Sequence, residues 1–135
     1  MTALSARDEQ QPVGRVLIIE DEPMIGRILE HKLRREGHDV MWLRSATDGE
    51  RALARGETDT ALVDATLERD AFAIIAELTQ RGTAPRCGWV ALVAQRDVEG
   101  RRRALEAGAA GIVSKPFKPT AVAAVVLELL AGEHA

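Results

Sequence analysis

Five short, largely apolar runs, Val16–Ile19, Val40–Leu43, Thr60–Val63, Trp89–Val93 and Gly111–Val113, recur along the chain and alternate with segments of helical period. This alternation constrains the fold more than any other feature. A run that is apolar at successive positions, rather than at every second one, fits a strand covered on both faces. That is the situation of a parallel sheet flanked by helices. Strand and helix in strict alternation describe repeated βαβ units.

The helical segments carry their own boundaries. Asp21 or Glu22 is placed to cap the first, Pro23 suits its first turn, Ile25, Ile28, Leu29 and Leu33 fall on one face, and Glu36-Gly37 ends it. Asp48–Arg55 is a short second helix stopped by Gly56, and Ala71–Arg81 a third, with Phe72, Ile75 and Leu78 inward, stopped by Gly82. Asp97–Ala107 holds only Val98 and Leu105 as large apolar residues, with Arg101–Arg103 between them, so it is expected to be the least anchored helix and its arginines a solvated face. In the last helix Val122, Val125, Val126, Leu129 and Leu130 repeat at helical spacing after Pro119-Thr120. With right-handed crossovers, five strands and five helices in this length predict an α/β fold: a flavodoxin-like, doubly wound parallel sheet of order 2-1-3-4-5.

One domain uses nearly all of the 135 residues. Residues 1–14 read as a flexible polar tail and 15–135 as the folded unit, with no second domain for output. Eighteen basic against 21 acidic residues leave a net charge of −3, without the basic excess that phosphate backbones attract, so nucleic acid is not the expected partner. Cys87 has no partner for an internal disulfide, and His31, His38 and His134 lack metal-ligand spacing. The polar N-terminus is not a signal peptide and no apolar run reaches spanning length, so a cytoplasmic setting without membrane attachment is expected.

The chemistry sits at strand ends. In the 2-1-3-4-5 order the first and third strands are neighbours, and ligands bind beyond their carboxyl ends. Glu20, Asp21 and Glu22 follow the first strand directly, and Asp64 follows the third. Desolvating a carboxylate there without a partner costs several kcal/mol, roughly, so converging acids imply a cation, and hard oxygen donors suit Mg²⁺. Glu22 reads rather as a helix-start acid favoured by the dipole. Lys115, at the end of the fifth strand, reaches the same crevice and pairs with Asp64 or with an oxyanion attached to it. An aspartate between Mg²⁺ and a lysine is suited to attack on phosphorus.

Five stretches in order, Val16–Pro23, Asp48–Leu53, Ala61–Asp64, Ala104–Ala109 and Lys115–Phe117, make residues 15–132 resemble the receiver domain of two-component response regulators, similar to the single-domain chemotaxis type. The resemblance implies that Asp64 is the phosphoacceptor. It implies Mg²⁺ ligation by Asp21 and Asp64 directly, by Glu20 through water and by the backbone carbonyl of Thr66. Lys115 would contact the phosphoryl group, and the bond to Pro116 would be cis. A histidine kinase or histidine phosphotransfer protein would donate, a protein target in trans would receive the signal, and the face of the fourth helix, fifth strand and fifth helix would be available for a dimer.

Against that pattern the switch region is atypical. The Thr or Ser expected at the end of the fourth strand falls at Val93 or Ala94, and the aromatic residue of the fifth strand falls at Ile112. Glu68 replaces a frequent proline after the acceptor and adds an acid near the pocket mouth. Phosphoryl chemistry is therefore expected at Asp64, while the usual relay lacks both of its residues. A degenerate receiver that binds its partner regardless of phosphorylation is the alternative. An aspartyl-nucleophile hydrolase would need an acid where Thr66 stands, and a flavin carrier would need a phosphate-cradling loop where Glu20-Asp21-Glu22 stands.

Overall fold

A computed structural model describes residues 12–132. The elements run β1 (Arg15–Ile19), α1 (Pro23–Arg35), β2 (Asp39–Leu43), α2 (Ala46–Ala54), β3 (Thr60–Asp64), α3 (Ala71–Gln80), β4 (Trp89–Ala94), α4 (Val98–Glu106), β5 (Gly111–Lys115) and α5 (Pro119–Gly132). All strand pairs are parallel, in the order β2-β1-β3-β4-β5 expected from the alternation. Most of the expected tail, residues 1–11, lies outside the described residues. Gly14 belongs to the fold, since its carbonyl accepts from Asp39 N at 3.0 Å. Among the described residues no helix is long and apolar enough to cross a membrane.

The continuous apolar runs are explained by two cores, one on each face of the sheet. Leu17, Ile19, Ala61, Val63, Trp89, Ala91 and Val93 face α2, α3 and α4. Val16, Ile18, Val40, Leu62, Val90 and Leu92 face α1 and α5 through Leu29, Leu33, Val122, Val126 and Leu130. Phe72 is fully buried and lies 5.3 Å from the Trp89 ring, centroid to centroid, an aromatic pair that adds about 0.5–1.5 kcal/mol to simple burial.

Several local expectations are corrected. Ile28 is 46% exposed, because Gly26, Leu29 and Leu33 form the buried stripe of α1 and Ile28 falls beside it. Glu22 occupies the cap position of α1 without a side-chain cap bond. α2 begins two residues earlier than expected, with Ser45 Oγ accepting from Asp48 N at 3.1 Å. In α4, Val98 and Leu105 are 75% and 64% exposed, and the helix turns Gly100 and Ala104 to the sheet. Its arginines are not all solvated: Arg103 lies over the Phe72 ring at 5.3 Å, a contact worth about 0.5–1 kcal/mol at exposed sites.

Gly26 has a role that its neighbours in sequence do not reveal. A β-carbon there would come within 2.0 Å of the Trp42 ring. The bare backbone lets Trp42 lie against α1 and donate its indole N–H to the Glu20 carbonyl at 2.9 Å, which fixes the turn carrying the acids.

His38, between α1 and β2, is buried; its Nδ1 accepts from Gly14 N at 3.2 Å and its Nε2 finds no hydrogen-bond partner among the described residues. Burial pushes its pKa below 6.5, against a weaker opposing pull from Glu36. The unfolded chain then binds the proton more tightly, so stability is whole above pH 6.5 and falls as pH drops through and below that value. Unfolding midpoints measured on both sides of pH 6.5 are expected to fall faster in the wild type than in His38→Gln, which keeps an acceptor for Gly14 but does not titrate. Parallel slopes in the two proteins would refute this.

Candidate functional site

The parallel register carries the acids to one end of the sheet. Ile19 is level with Val63, so Glu20 and Asp64 follow matched positions on neighbouring strands. Ala94 is level with Lys115 at the same end. Glu20, Asp21 and Asp64 each bring a carboxylate oxygen within 4.8 Å of the other two. Glu20 is fully buried and Asp64 is 2% exposed, whereas Asp21 faces solvent at the mouth.

Lys115 lies between the buried acids. Its Nζ donates to Asp64 Oδ1 at 2.6 Å and stands 2.9 Å from Glu20 Oε1. That second approach is an ion pair without hydrogen-bond alignment, and among the described residues Glu20 Oε1, a buried acceptor, finds no hydrogen bond. The other oxygens are engaged: Glu20 Oε2 accepts from Glu22 N at 3.2 Å, and Asp64 Oδ2 accepts from Thr66 N at 3.1 Å and Thr66 Oγ1 at 2.8 Å.

The charges do not balance. Burial raises the Glu20 pKa above its ordinary value, helped by the Asp64 charge and opposed by Lys115. Burial alone would lower the Lys115 pKa, but the hydrogen bond to Asp64, the close approach to Glu20 and the charges of both carboxylates outweigh it and hold the ammonium above the ordinary lysine value. One ammonium therefore faces three carboxylates. A clustered set of hard oxygen donors, one of them buried without a hydrogen bond, fits a small divalent cation such as Mg²⁺.

The other residues singled out from the sequence fall around this cleft. The Lys115–Pro116 peptide bond is cis. Val93 is completely buried in the layer beneath α4, while Ala94 ends β4 and is exposed. Neither brings a hydroxyl. Ile112 is half-buried against the same layer. Ser114 lies in β5 and accepts from an Arg101 terminal nitrogen at 3.1 Å.

Two features were missed. Thr66 presents its hydroxyl to Asp64, as well as the backbone for which it was singled out. Glu68 does not add a free acid to the mouth: its carboxylate accepts from Ala46 N at 3.0 and 3.1 Å and from Thr47 N at 3.5 Å. These bonds, led by the one from Ala46, hold its pKa below the usual value. Glu68 thus caps α2 from across the loop, and Arg69 reinforces the join through Thr47 and Glu50. A following Glu-Arg pair was the only sequence signal available.

Comparison with known proteins bears on the same region. The family model described as response regulator receiver domain matches residues 16–127. The probable transcriptional regulator ycf27 of Porphyridium aerugineum is 34% identical over 120 residues, 86% of this chain and 48% of that protein. The chain spans about half the length of the curated relatives it matches. A putative response regulator from Chloroflexus aurantiacus J-10-fl superposes with a TM-score of 0.80 at 25% identity, covering 89% of this chain and 99% of that one. The receiver domain of the sensor histidine kinase PA1611 from Pseudomonas aeruginosa PAO1, with magnesium coordinated in its active-site cleft, has a TM-score of 0.79 at 24% identity, covering 89% and 99%. The family match extends from the first strand of the sheet into the last helix and encloses every acid and the lysine of the cleft, and on that ground the chain belongs to the response regulator receiver domain family.

Proposed function

We propose that Asp64 accepts a phosphoryl group from a phosphohistidine on a histidine kinase or histidine phosphotransfer protein, in a Mg²⁺-dependent reaction within a receiver unit spanning residues 15–135. The observation that carries this reading is the Asp64 carboxylate itself, 2% exposed and held between Lys115 Nζ and the two donors of Thr66. In transfer, an Asp64 oxygen forms a bond to phosphorus as the donor's P–N bond breaks, and the bonding pair leaves on the imidazole nitrogen. Thr66 fixes the plane of the carboxylate. Lys115, whose ammonium stays charged, pairs with an oxygen of the transferred group. Glu20, Asp21, Asp64 and the carbonyl of Thr66 would hold Mg²⁺, which when bound offsets charge on the phosphoryl oxygens; the magnesium in the PA1611 receiver supports this assignment.

The output we propose is contact with a protein target, and the exposed Val98 and Leu105 of α4 support it. Incubation with acetyl phosphate tests the acceptor chemistry. Mass spectrometry is expected to show one added phosphoryl group with Mg²⁺ and none in chelator. No gain with Mg²⁺ would sink the proposal and favour a phosphorylation-independent interaction module, the reading suggested by the missing hydroxyl and aromatic residue at Val93, Ala94 and Ile112.

A further inference from the structure

We infer that Arg103 is a positioning residue, which fixes the loop following Asp64 and makes α4 move with it; this rests on the reading of Asp64 as phosphoacceptor. Apolar packing holds α4 only weakly. Its buried face is Gly100 and Ala104, and its larger apolar side chains, Val98 and Leu105, point to solvent. Gly100 brings the helix close to β4, since a β-carbon there would meet Val93 Cγ1 at 3.0 Å. Such small residues offer few atoms for dispersion contact and so hold the helix weakly.

Polar ties supply the hold. The Arg103 guanidinium lies over Phe72, which is immobilised in the core, and its two terminal nitrogens diverge. One donates to Asp70 Oδ1 at 3.1 Å and the other to the Ala65 carbonyl at 3.3 Å. Asp70 caps α3 by accepting from Ala73 N at 3.2 Å. Ala65 is the residue after Asp64, and its own N–H donates to Leu92 O at 3.0 Å. A single α4 side chain therefore grips both ends of the 65–70 loop, one of them a peptide away from the acceptor. Arg101 makes the corresponding tie on the other side, to Ser114, the residue before Lys115.

A group added to Asp64 brings bulk and new negative charge to the start of this loop, beside the two Thr66 donors. A shift of the Ala65 carbonyl is passed to α4 through a planar fork that cannot hold both acceptors once they separate. This route needs no hydroxyl at Val93 or Ala94 and no aromatic ring at Ile112.

The test uses the full chain with Mg²⁺ and beryllofluoride, following backbone amide shifts in wild type, Arg103→Ala and Arg103→Lys. Lysine keeps a positive charge near Asp70 but has one nitrogen where two acceptors must be bridged. In the wild type, shifts are expected both at residues 65–70 and across Val98–Glu106. In both variants the loop shifts are expected to persist, as is phosphoryl uptake from acetyl phosphate, while the α4 shifts are lost. Retention of the α4 response in either variant, or its absence from a wild type whose loop does respond, would overturn the role of Arg103 and leave Asp64 as acceptor untouched. A wild type that neither responds at Asp64 nor takes up phosphoryl would remove the acceptor reading, and the coupling with it.

Discussion

Replacing Lys115 by alanine is expected to destabilise the metal-free protein by about 3–5 kcal/mol at neutral pH, the cost of leaving buried charge without its partner. The wild-type ammonium is 2.6 Å from Asp64 Oδ1 and 2.9 Å from Glu20 Oε1, and both carboxylates are almost wholly out of water. Without it, two anions face each other across less than 4.8 Å with Asp21 beside them. The Glu20 carboxyl, already held above its ordinary value by burial, rises further without the ammonium that opposes that shift, so the variant regains stability as pH falls and Glu20 takes up a proton. The gap from the wild type is accordingly widest at neutral pH and closes towards acid. For a domain of this size the loss corresponds to a fall of about 10–20 °C in melting temperature. Thermal unfolding in chelator measures it, and a parallel series with Mg²⁺ is expected to recover part of the loss because a cation binding only the folded state stabilises it. Equal melting temperatures in chelator at neutral pH would mean that the cluster relaxes its charge by another route.

The sheet is legible in the sequence because parallel strands buried on both faces leave continuous apolar runs, as Val16–Ile19 and Val90–Val93 do. The acids are legible because a carboxylate directly after such a run has no apolar explanation. Long polar side chains that bridge elements distant in sequence are a different matter. Arg103 reaches Ala65 across 38 positions, and Glu68 reaches Ala46 across 22. Neither link follows from local periodicity, since both depend on which helices the topology makes neighbours. Gly26 is hidden for the same reason: only with β2 beside β1 does Trp42 lie against it. These bridges and close contacts converge on the turns that carry Glu20 and Asp64. The 65–70 loop is clamped to α2 by Glu68 and Arg69 and to α4 by Arg103, so an event at Asp64 acts on a segment held at both flanks.

Asp64→Asn is expected to abolish phosphoryl uptake while leaving a folded protein. The amide nitrogen is not a nucleophile at neutral pH, and the neighbouring carboxylates do not take over. Glu20 is completely buried with one oxygen bound to Glu22 N and the other beside Lys115, and Asp21 lies at the exposed mouth. Folding survives because the substitution is nearly isosteric and its hydrogen-bond conflict has an outlet. The wild-type carboxylate faces donors on both sides, Lys115 on one and Thr66 on the other. An asparagine keeps its carbonyl towards the charged ammonium, which is the stronger partner, and turns its amino group towards Thr66. The Thr66 hydroxyl can rotate to accept from it, and the Thr66 N–H, on an exposed residue, finds water. Removing one of three crowded carboxylates also relieves repulsion, so the melting temperature in chelator is expected to stay at or above that of the wild type, in contrast to Lys115→Ala. Mass spectrometry after acetyl phosphate and Mg²⁺, with unfolding curves on the same samples, separates the two effects. Phosphoryl uptake that persists in a folded Asp64→Asn protein would place the acceptor on another residue.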